Sequence, residues 1–385
     1  MVQFILYSKD IENGLFVMDA PVTPTASPLR VVMIAHSHLL GGMERHVVTL
    51  SDALARSGHS IAFAGPMDGW LGEQMKAAGY PCCHVAMNGM YDAVSAIRIV
   101  RFAKRMKADI VHGHSQRGGR YAYLASRWLN IPAVATAHST NSSKWFKRRV
   151  HVIAVSQAVK SFLLSKGLSD QQVSVVHLGI ADVAQVRWPA PDAVSSQRPL
   201  RLGMVSRMEH VKGHDVALRA LMALKDKLPV TLTVVGDDRN HWGDAMKKVV
   251  NDHGLGAQVR FLGQRSDVAD LLGELDLLLA PSRREALSLT LIEAAASARP
   301  AVASDIGGIP EVVLNHQTGI LVPSEDHERL AQAVEMLANN PELRVAYGCA
   351  ARQYYEREFT IDAMGAKTQA VYQAAIAVRN GLNTA

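Results

Sequence analysis

Short runs of β-branched and aliphatic residues alternate along this chain with longer stretches whose apolar positions recur every three or four residues. "LRVVMIAHS" (29–37) reads as a buried strand, and "MERHVVTLSDALARSG" (43–58) as the amphipathic helix after it, stopped at Gly58. "HSIAFAG", "CCHVAM", "ADIVHGHS", "AVATAHS" and "HVIAVSQ" are further strand candidates, separated by helical stretches such as "DAVSAIRIVRFAKRMK". This alternation predicts βαβ units on a parallel sheet. It pauses at the Pro- and Ser-rich "VAQVRWPAPDAVSSQRP" (183–199) and restarts with "LRLGMVSRM". "VTLTVVGDD", "AQVRFLG", "LDLLLAPS", "PAVASD" and "GILVP" then form a second strand series, and helical stretches over 326–339, 341–357 and 360–380 close the chain. The expectation is an α/β protein with two Rossmann-like doubly wound domains, residues 29–185 and 200–360, facing across a cleft. Residues 1–28 read as an extension, 186–199 as a linker, and 361–385 as a terminal helix. In open α/β sheets ligands sit beyond the carboxyl ends of the strands, so the cleft is the default site.

Composition supports two well-buried cores: 48% of the 385 residues are hydrophobic and 20% charged. Cys82, Cys83 and Cys349 are odd in number and two are adjacent, which offers no disulfide framework and favours a reducing cytoplasm. There is no apolar run of about 18 residues to span a bilayer. "MVQFILYSKDIENGLFVMDA" lacks a basic start and is a poor signal peptide. The net charge of +6 is uneven, because residues 28–190 hold 19 Lys and Arg against 8 Asp and Glu. That excess suggests an anionic partner for the first domain. It gathers in "RIVRFAKRMK" (98–107) and around Lys144, Lys147, Arg148 and Arg149, where Trp145 and Phe146 interleave. Basic and aromatic residues together suit an anionic membrane surface, and a solvated helix face accounts for them equally well. No nucleic-acid reader motif is present.

The chemistry-bearing stretch is "RREALSLTLIEAAASARPAVASDIGG" (283–308), with Glu285 and Glu293 eight positions apart. Ser288 is placed to cap a helix beginning after it. At ~1.5 Å per residue the two carboxylates span up to roughly 12 Å, whereas a retaining glycosidase pair stands about 5–5.5 Å apart. An elongated ligand with phosphates at the first helical turn fits better. The alternative, a solvated Glu285 and a Glu293 paired with a nearby cation, stays open on spacing alone. Arg207 and Lys212 in "VSRMEHVKGHD" would neutralise a diphosphate. Gly41–Gly42 and Gly307–Gly308 are turns that permit close backbone approach. His138 ends one strand candidate. His112 and His114 share a face of another, with Arg117 just beyond, at a spacing that suits zinc. No third ligand of recognisable spacing follows, which favours acceptor or structural roles for them. Asp237 and Asp238 are an adjacent carboxylate pair.

The 283–308 stretch resembles the E-x7-E motif of retaining GT-B glycosyltransferases of family GT4, and the agreement runs in order over roughly residues 29–375. The resemblance implies that Glu285 contacts a donor sugar and Glu293 a ribose. It puts Ser288, Leu289, Gly307 and Gly308 around the donor, and Gly41 and Gly42 across from it. "SRMEHVKG" is similar to the family's G-R-x-x-x-x-K-G, with Ser206 for the first glycine, so Arg207 and Lys212 take the diphosphate. Gln264 and Arg265 fall near the nucleobase and His138 beside the sugar, while Asp237–Asp238 match a strand-ending G-D. Where the family reads E-G-F/Y-G, this chain has Ala286, Leu287 and Ser288, which changes the bulk beside the sugar. The implied activity is retaining transfer of a hexosyl group from a nucleotide diphosphate sugar to an acceptor hydroxyl, with no cofactor and no bound metal. A lipid-linked glycan of cell-surface polysaccharide biosynthesis suits the acceptor, and the inner face of the membrane the location. His112, His114 and Arg117 are the acceptor candidates. A nucleotide-sugar epimerase and a non-catalytic sugar-nucleotide or membrane-binding adaptor are the alternatives. A dinucleotide dehydrogenase is disfavoured because no G-x-G-x-x-G follows the first strand of either domain.

Overall fold

Runs such as Val31–Ile34 are apolar at every position because each is buried on both faces of a parallel sheet. The computed structural model describes residues 27–38, 41–140, 143, 144, 146, 150–182, 198–379 and 381. The extension through residue 26, nearly all of the linker, and Trp145, Lys147, Arg148 and Arg149 of the basic–aromatic cluster lie outside the described residues.

The first sheet comprises β1 (Arg30–Ile34), β2 (Ser60–Gly65), β3 (Cys82–His84), β4 (Ile110–His114), β5 (Ala133–Ala137), β6 (His151–Ala154) and β7 (Val173–Val175). They pair in parallel in the order 3-2-1-4-5-6-7. The second comprises β8 (Leu200–Val205), β9 (Val230–Val235), β10 (Val259–Phe261), β11 (Leu277–Ala280), β12 (Ala301–Ser304) and β13 (Gly319–Val322), in the order 10-9-8-11-12-13. Both sheets reverse direction of winding beside their first strand, between β1 and β4 and between β8 and β11, which opens a crevice at those carboxyl ends. The sequence pattern misses β7 alone, since three residues, only one fully buried, carry no period.

Helices α1 (Gly42–Arg56), α2 (Trp70–Ala77), α3 (Ala93–Arg105), α4 (Ser115–Leu129) and α5 (Gln157–Ser165) wind the first sheet. Helices α6 (His214–Leu224), α7 (His241–Asp252), α8 (Val268–Glu274), α9 (Leu289–Ala296) and α10 (His327–Ala338) wind the second. Then α11 (Pro341–Glu358) and α12 (Ile361–Arg379) return the chain to the first sheet. Met364, Val371 and Tyr372 of α12 share a core with Val31, Met33, Leu50 and Leu54.

Polar contacts of Glu311 and of α11 also fasten the units to each other. The Glu311 carboxylate accepts from the N–H groups of Gln157 (2.6 Å) and Ala158 (3.0 Å) at the start of α5 and pairs with His177 at 2.9 Å. A helix N-terminus welcomes an anion there. Arg352 of α11 pairs with Asp182, and Tyr355 Oη donates to the Ile180 carbonyl.

The return helix is also pinned by a polar contact inside the core. Tyr372 Oη lies 2.7 Å from His112 Nδ1, and Thr136 Oγ1 lies 2.7 Å from His112 Nε2, all three residues being buried. Tyr372→Phe should leave an imidazole nitrogen unpaired in a dry interior and destabilise the fold by about 1–2 kcal/mol. Equilibrium urea unfolding checks this, and an unchanged midpoint would show that α12 is held by apolar packing alone.

Candidate active site

The crevice side of the second sheet is built by three loops locked to one another. After β8 the chain passes Ser206 and Arg207 into a short 3-10 turn, His210–Lys212, and then α6. Gly213 between them has φ +74°, and a Cβ there would lie 2.0 Å from the Pro281 carbonyl oxygen, so only glycine lets this turn meet the end of β11. From that second loop Arg283 reaches back. It donates to Asp215 through both terminal nitrogens (2.9 and 2.8 Å), to the His210 carbonyl (2.6 Å) and to Glu325 (2.8 Å). Its own N–H donates to the Val211 carbonyl at 2.8 Å.

With the loops fixed, Lys212 Nζ stands 2.5 Å from Glu285 Oε2, the two side chains 19% and 15% exposed. The third loop closes on them. Gly307 has φ +55°, and Cβ atoms on Gly307 and Gly308 would lie 2.0 Å from the carbonyl oxygens of Glu285 and Ala286. The Gly308 N–H donates to the Glu285 carbonyl at 3.2 Å. In the Ala286–Ser288 departure, Leu287 is buried in the core, and the Ser288 hydroxyl accepts from the Leu291 N–H to cap α9. A small pocket results, lined by Ser206, Lys212, Ser282, Glu285, Ser288 and Thr290.

The first domain meets this wall at two helix starts. Gly41 caps α1 without a side chain, and a Cβ on Gly42 would come within 3.2 Å of Leu289 at the start of α9. Arg45 Nη1 then stands 3.7 Å from Glu293 Oε1 across the boundary. Burial pushes the Glu293 carboxyl above its ordinary range, with Arg45 opposing. The cation that spacing alone left open for Glu293 is therefore an arginine of the other domain.

Other candidates stand apart. Arg207 is 74% exposed and paired with Glu209. Gln264 and Arg265 are exposed, Arg265 on Asp267. Asp237 and Asp238 turn to different cations, Arg239 and Lys247, and do not face one metal together. His112 has both ring nitrogens engaged. Arg117 is held by the Met87 carbonyl and by His36, at 2.7 Å from its Nε2. His114 is fully buried, its Nδ1 3.3 Å from His138 Nε2. Against both rings packs His46 of α1, which sequence reading does not single out because it is one polar position in an amphipathic helix. Arg283 is likewise missed. Its partners are scattered over more than a hundred residues, and nothing local marks it.

Comparison with known proteins fits this architecture. The pattern described as Glycosyltransferase Family 4 matches residues 40–182, and that described as Glycosyl transferases group 1 matches 191–354. The lipopolysaccharide core biosynthesis mannosyltransferase LpcC of Rhizobium leguminosarum is 31% identical over 64% of this chain and 71% of its own length. The chain belongs to glycosyltransferase family 4. A glycogen synthase of Mycobacterium tuberculosis is 27% identical to it over 90% of this chain and 95% of that one. Among solved structures, a glycosyltransferase from Rickettsia africae is 24% identical, covering 91% of this chain and 99% of its own, at a TM-score of 0.80. Anabaena HepE, solved with UDP and glucose, is 18% identical, covering 90% and 100%, at 0.77. The fold of this glycosyltransferase is GT-B.

Two outcomes follow for the glycosyltransferase. Arg283→Lys keeps the charge but loses the planar fork, and should cost about 2 kcal/mol in urea unfolding. An unchanged midpoint would mean that the fork does not hold the loops. The second outcome concerns pH. Burial lowers His46 to about 4 and His112 to about 3, and holds His114 and His138 well below the ordinary imidazole range. The unfolded chain takes up these protons below about pH 6.5 while the folded chain does not, so stability is full above that pH and falls as pH drops. Each histidine should remove about 1.4 kcal/mol per pH unit on the way down. Urea midpoints measured at about pH 7.5 and pH 5.5 test this, and equal midpoints would contradict it.

Proposed function

We propose that this glycosyltransferase moves a hexosyl group from a nucleotide diphosphate sugar to an acceptor hydroxyl with retention of anomeric configuration. The observation that carries the reading is the Lys212–Glu285 pair at the start of α9, opposite the start of α1 in the other domain. Two helix N-termini and a cation are what a diphosphate needs. Glu285 and His138 orient the sugar, and Glu293 holds the ribose. Ser288, Leu289, Gly307 and Gly308 border the donor, with Gln264 and Arg265 towards the base. Arg207, exposed on its loop, has room to swing onto the phosphates beside Lys212.

In the step itself the bond from the anomeric carbon to the diphosphate oxygen breaks, and the diphosphate leaves with the electron pair. The acceptor oxygen bonds the same face of that carbon, and its proton passes to the departing phosphate. Lys212 and Arg207 stabilise the negative charge as it develops. The nucleotide sugar is the sole co-substrate, and the two cations serve where another enzyme would place a metal.

The acceptor is a lipid-linked glycan in cell-surface polysaccharide synthesis. Supporting this are the lipopolysaccharide core mannosyltransferase among the relatives and the surface of α3. Val94, Ile97, Arg98, Arg101 and Arg105 recur at helical spacing there, and all are exposed. A basic face with apolar side chains among its cations suits an anionic lipid surface at about 1 kcal/mol per cation. Among the described residues no helix is long and apolar enough to cross a membrane.

Calorimetry with uridine, guanosine and adenosine diphosphate sugars tests the donor. Wild type should bind one base class selectively and Glu293→Ala more weakly. Lys212→Ala should slow transfer by about 10²–10³-fold. Near-normal transfer by Lys212→Ala, or no nucleotide sugar binding to the folded wild type, would overturn the reading.

A further inference from the structure

Three imidazoles converge at the carboxyl edge of the first sheet, outside the pocket of Lys212 and Glu285. His114 ends β4, His138 follows β5, and His46 lies just over one turn into α1. Each offers a ring nitrogen, and the three nitrogens lie within 4.8 Å of one another. His114 Nδ1 lies 3.3 Å from His138 Nε2. Two nitrogens bound at about 2.0–2.1 Å to one tetrahedral zinc stand about 3.3–3.4 Å apart. The geometry therefore needs an adjustment of no more than about 1.5 Å at the widest pair.

The hydrogen bonding sets this group apart from ordinary buried histidines, whose nitrogens find partners. His112, two residues before His114, is such a residue, satisfied by Tyr372 and Thr136. His46 is only 5% exposed, yet among the described residues neither of its ring nitrogens has a hydrogen-bond partner. Nε2 of His114 is buried and unpartnered as well. The His114–His138 contact engages one nitrogen of each ring, and the remaining nitrogen of His114 and both of His46 have no protein partner among the described residues. Neutral imidazoles in a set of three are ligands for zinc and its neighbours in the transition series. Spacing along the chain points to His112 and His114 as a zinc pair. The fold instead joins His114 to two histidines from other elements and gives His112 a supporting place, its ring stacked on that of His114 with centroids 4.3 Å apart.

We propose that His46, His114 and His138 form a site for a divalent transition metal of borderline softness, zinc being its simplest occupant, with a fourth position left to water or a ligand hydroxyl. His112, fixed by its two hydroxyl partners, would orient His114 from behind. The site does not rest on the transfer reading. His138 serves in both, so the test reads metal binding directly and not transfer.

The full chain, stripped with a chelator, is titrated with zinc alone by calorimetry, and the cobalt(II) form is examined by absorption. One metal per chain is expected, with the intense visible bands of four-coordinate cobalt. His46→Ala and His138→Ala should each weaken binding by about 10–100-fold or more. His253→Ala, on the exposed surface, should change nothing. Circular dichroism verifies folding, and should the buried His46 variant unfold, the half-buried His138→Ala decides. No saturable binding, or equal affinity in wild type and His138→Ala, would overturn the proposal and leave a neutral histidine cluster of structural purpose.

Discussion

Arg283 is the constraint on which the arrangement of the second domain's crevice depends. Lys212 and Glu285 are separated by 73 positions, and among the described residues no backbone hydrogen bond joins the two directly. Arg283 does so from behind, with its guanidinium on Asp215, His210 and Glu325 and its backbone N–H on Val211. The side chain is 12% exposed, so these bonds are made largely out of water. A planar cation that spans two acceptors on one loop and one on another sets distance and angle together, which an ammonium does not. The two glycine contacts, Gly213 on Pro281 and Gly307 on Glu285, then remove the remaining slack by backbone packing. A lysine and a glutamate held in this way are oriented by the fold alone, and on the proposed reading such preorganised charge is the form in which electrostatics contributes most to catalysis.

The boundary between the domains is fastened unevenly. Along α5, β7 and α11 it is held by short contacts: Glu311 on two backbone N–H groups and His177, Arg352 on Asp182, and Tyr355 on Ile180. Among the described residues the ion pair across the crevice is Arg45–Glu293, and at 3.7 Å, with Arg45 54% exposed, it is a long and partly solvated contact worth little. The strong contacts therefore lie away from the substrate side. A ligand that engages Glu293 would compete with a weak partner and need not break the contacts that join the domains.

The sequence made the fold legible because parallel strands buried on both faces leave an unbroken apolar signature, as in Val31–Ile34 and Leu277–Ala280. Strand β7 escaped for the converse reason, being too short to show a period. In the site, what could be read was local. Ser288 caps α9 through its own third neighbour, and Gly307 stands at a turn. Contacts made by the tertiary structure were not readable. Arg283, one of 41 cations, is distinguished only by where its partners lie. Arg45 faces Glu293 from the other domain, and His46 meets His114 and His138 from elements far apart in the chain. Arg207 shows the same limit from the other side: its spacing from Lys212 is plain, yet its side chain turns to Glu209 in solvent.

The two walls of the crevice differ in kind, and the difference follows from burial. The second domain presents cations and carboxylates in compensating pairs, Lys212 with Glu285 and Arg283 with Asp215. The first domain presents uncapped helix N–H groups at α1 and a cluster of imidazoles that burial keeps neutral. A lysine or arginine with no carboxylate beside it would be costly in that dry cluster, whereas a metal ion there is compensated by direct coordination to imidazole nitrogens; the basic excess of the first domain lies on its surface, as along α3. On the proposed reading an anionic ligand meets Lys212 on the second wall when Glu285 turns from it to the ligand, and the N–H groups at the start of α1 on the first.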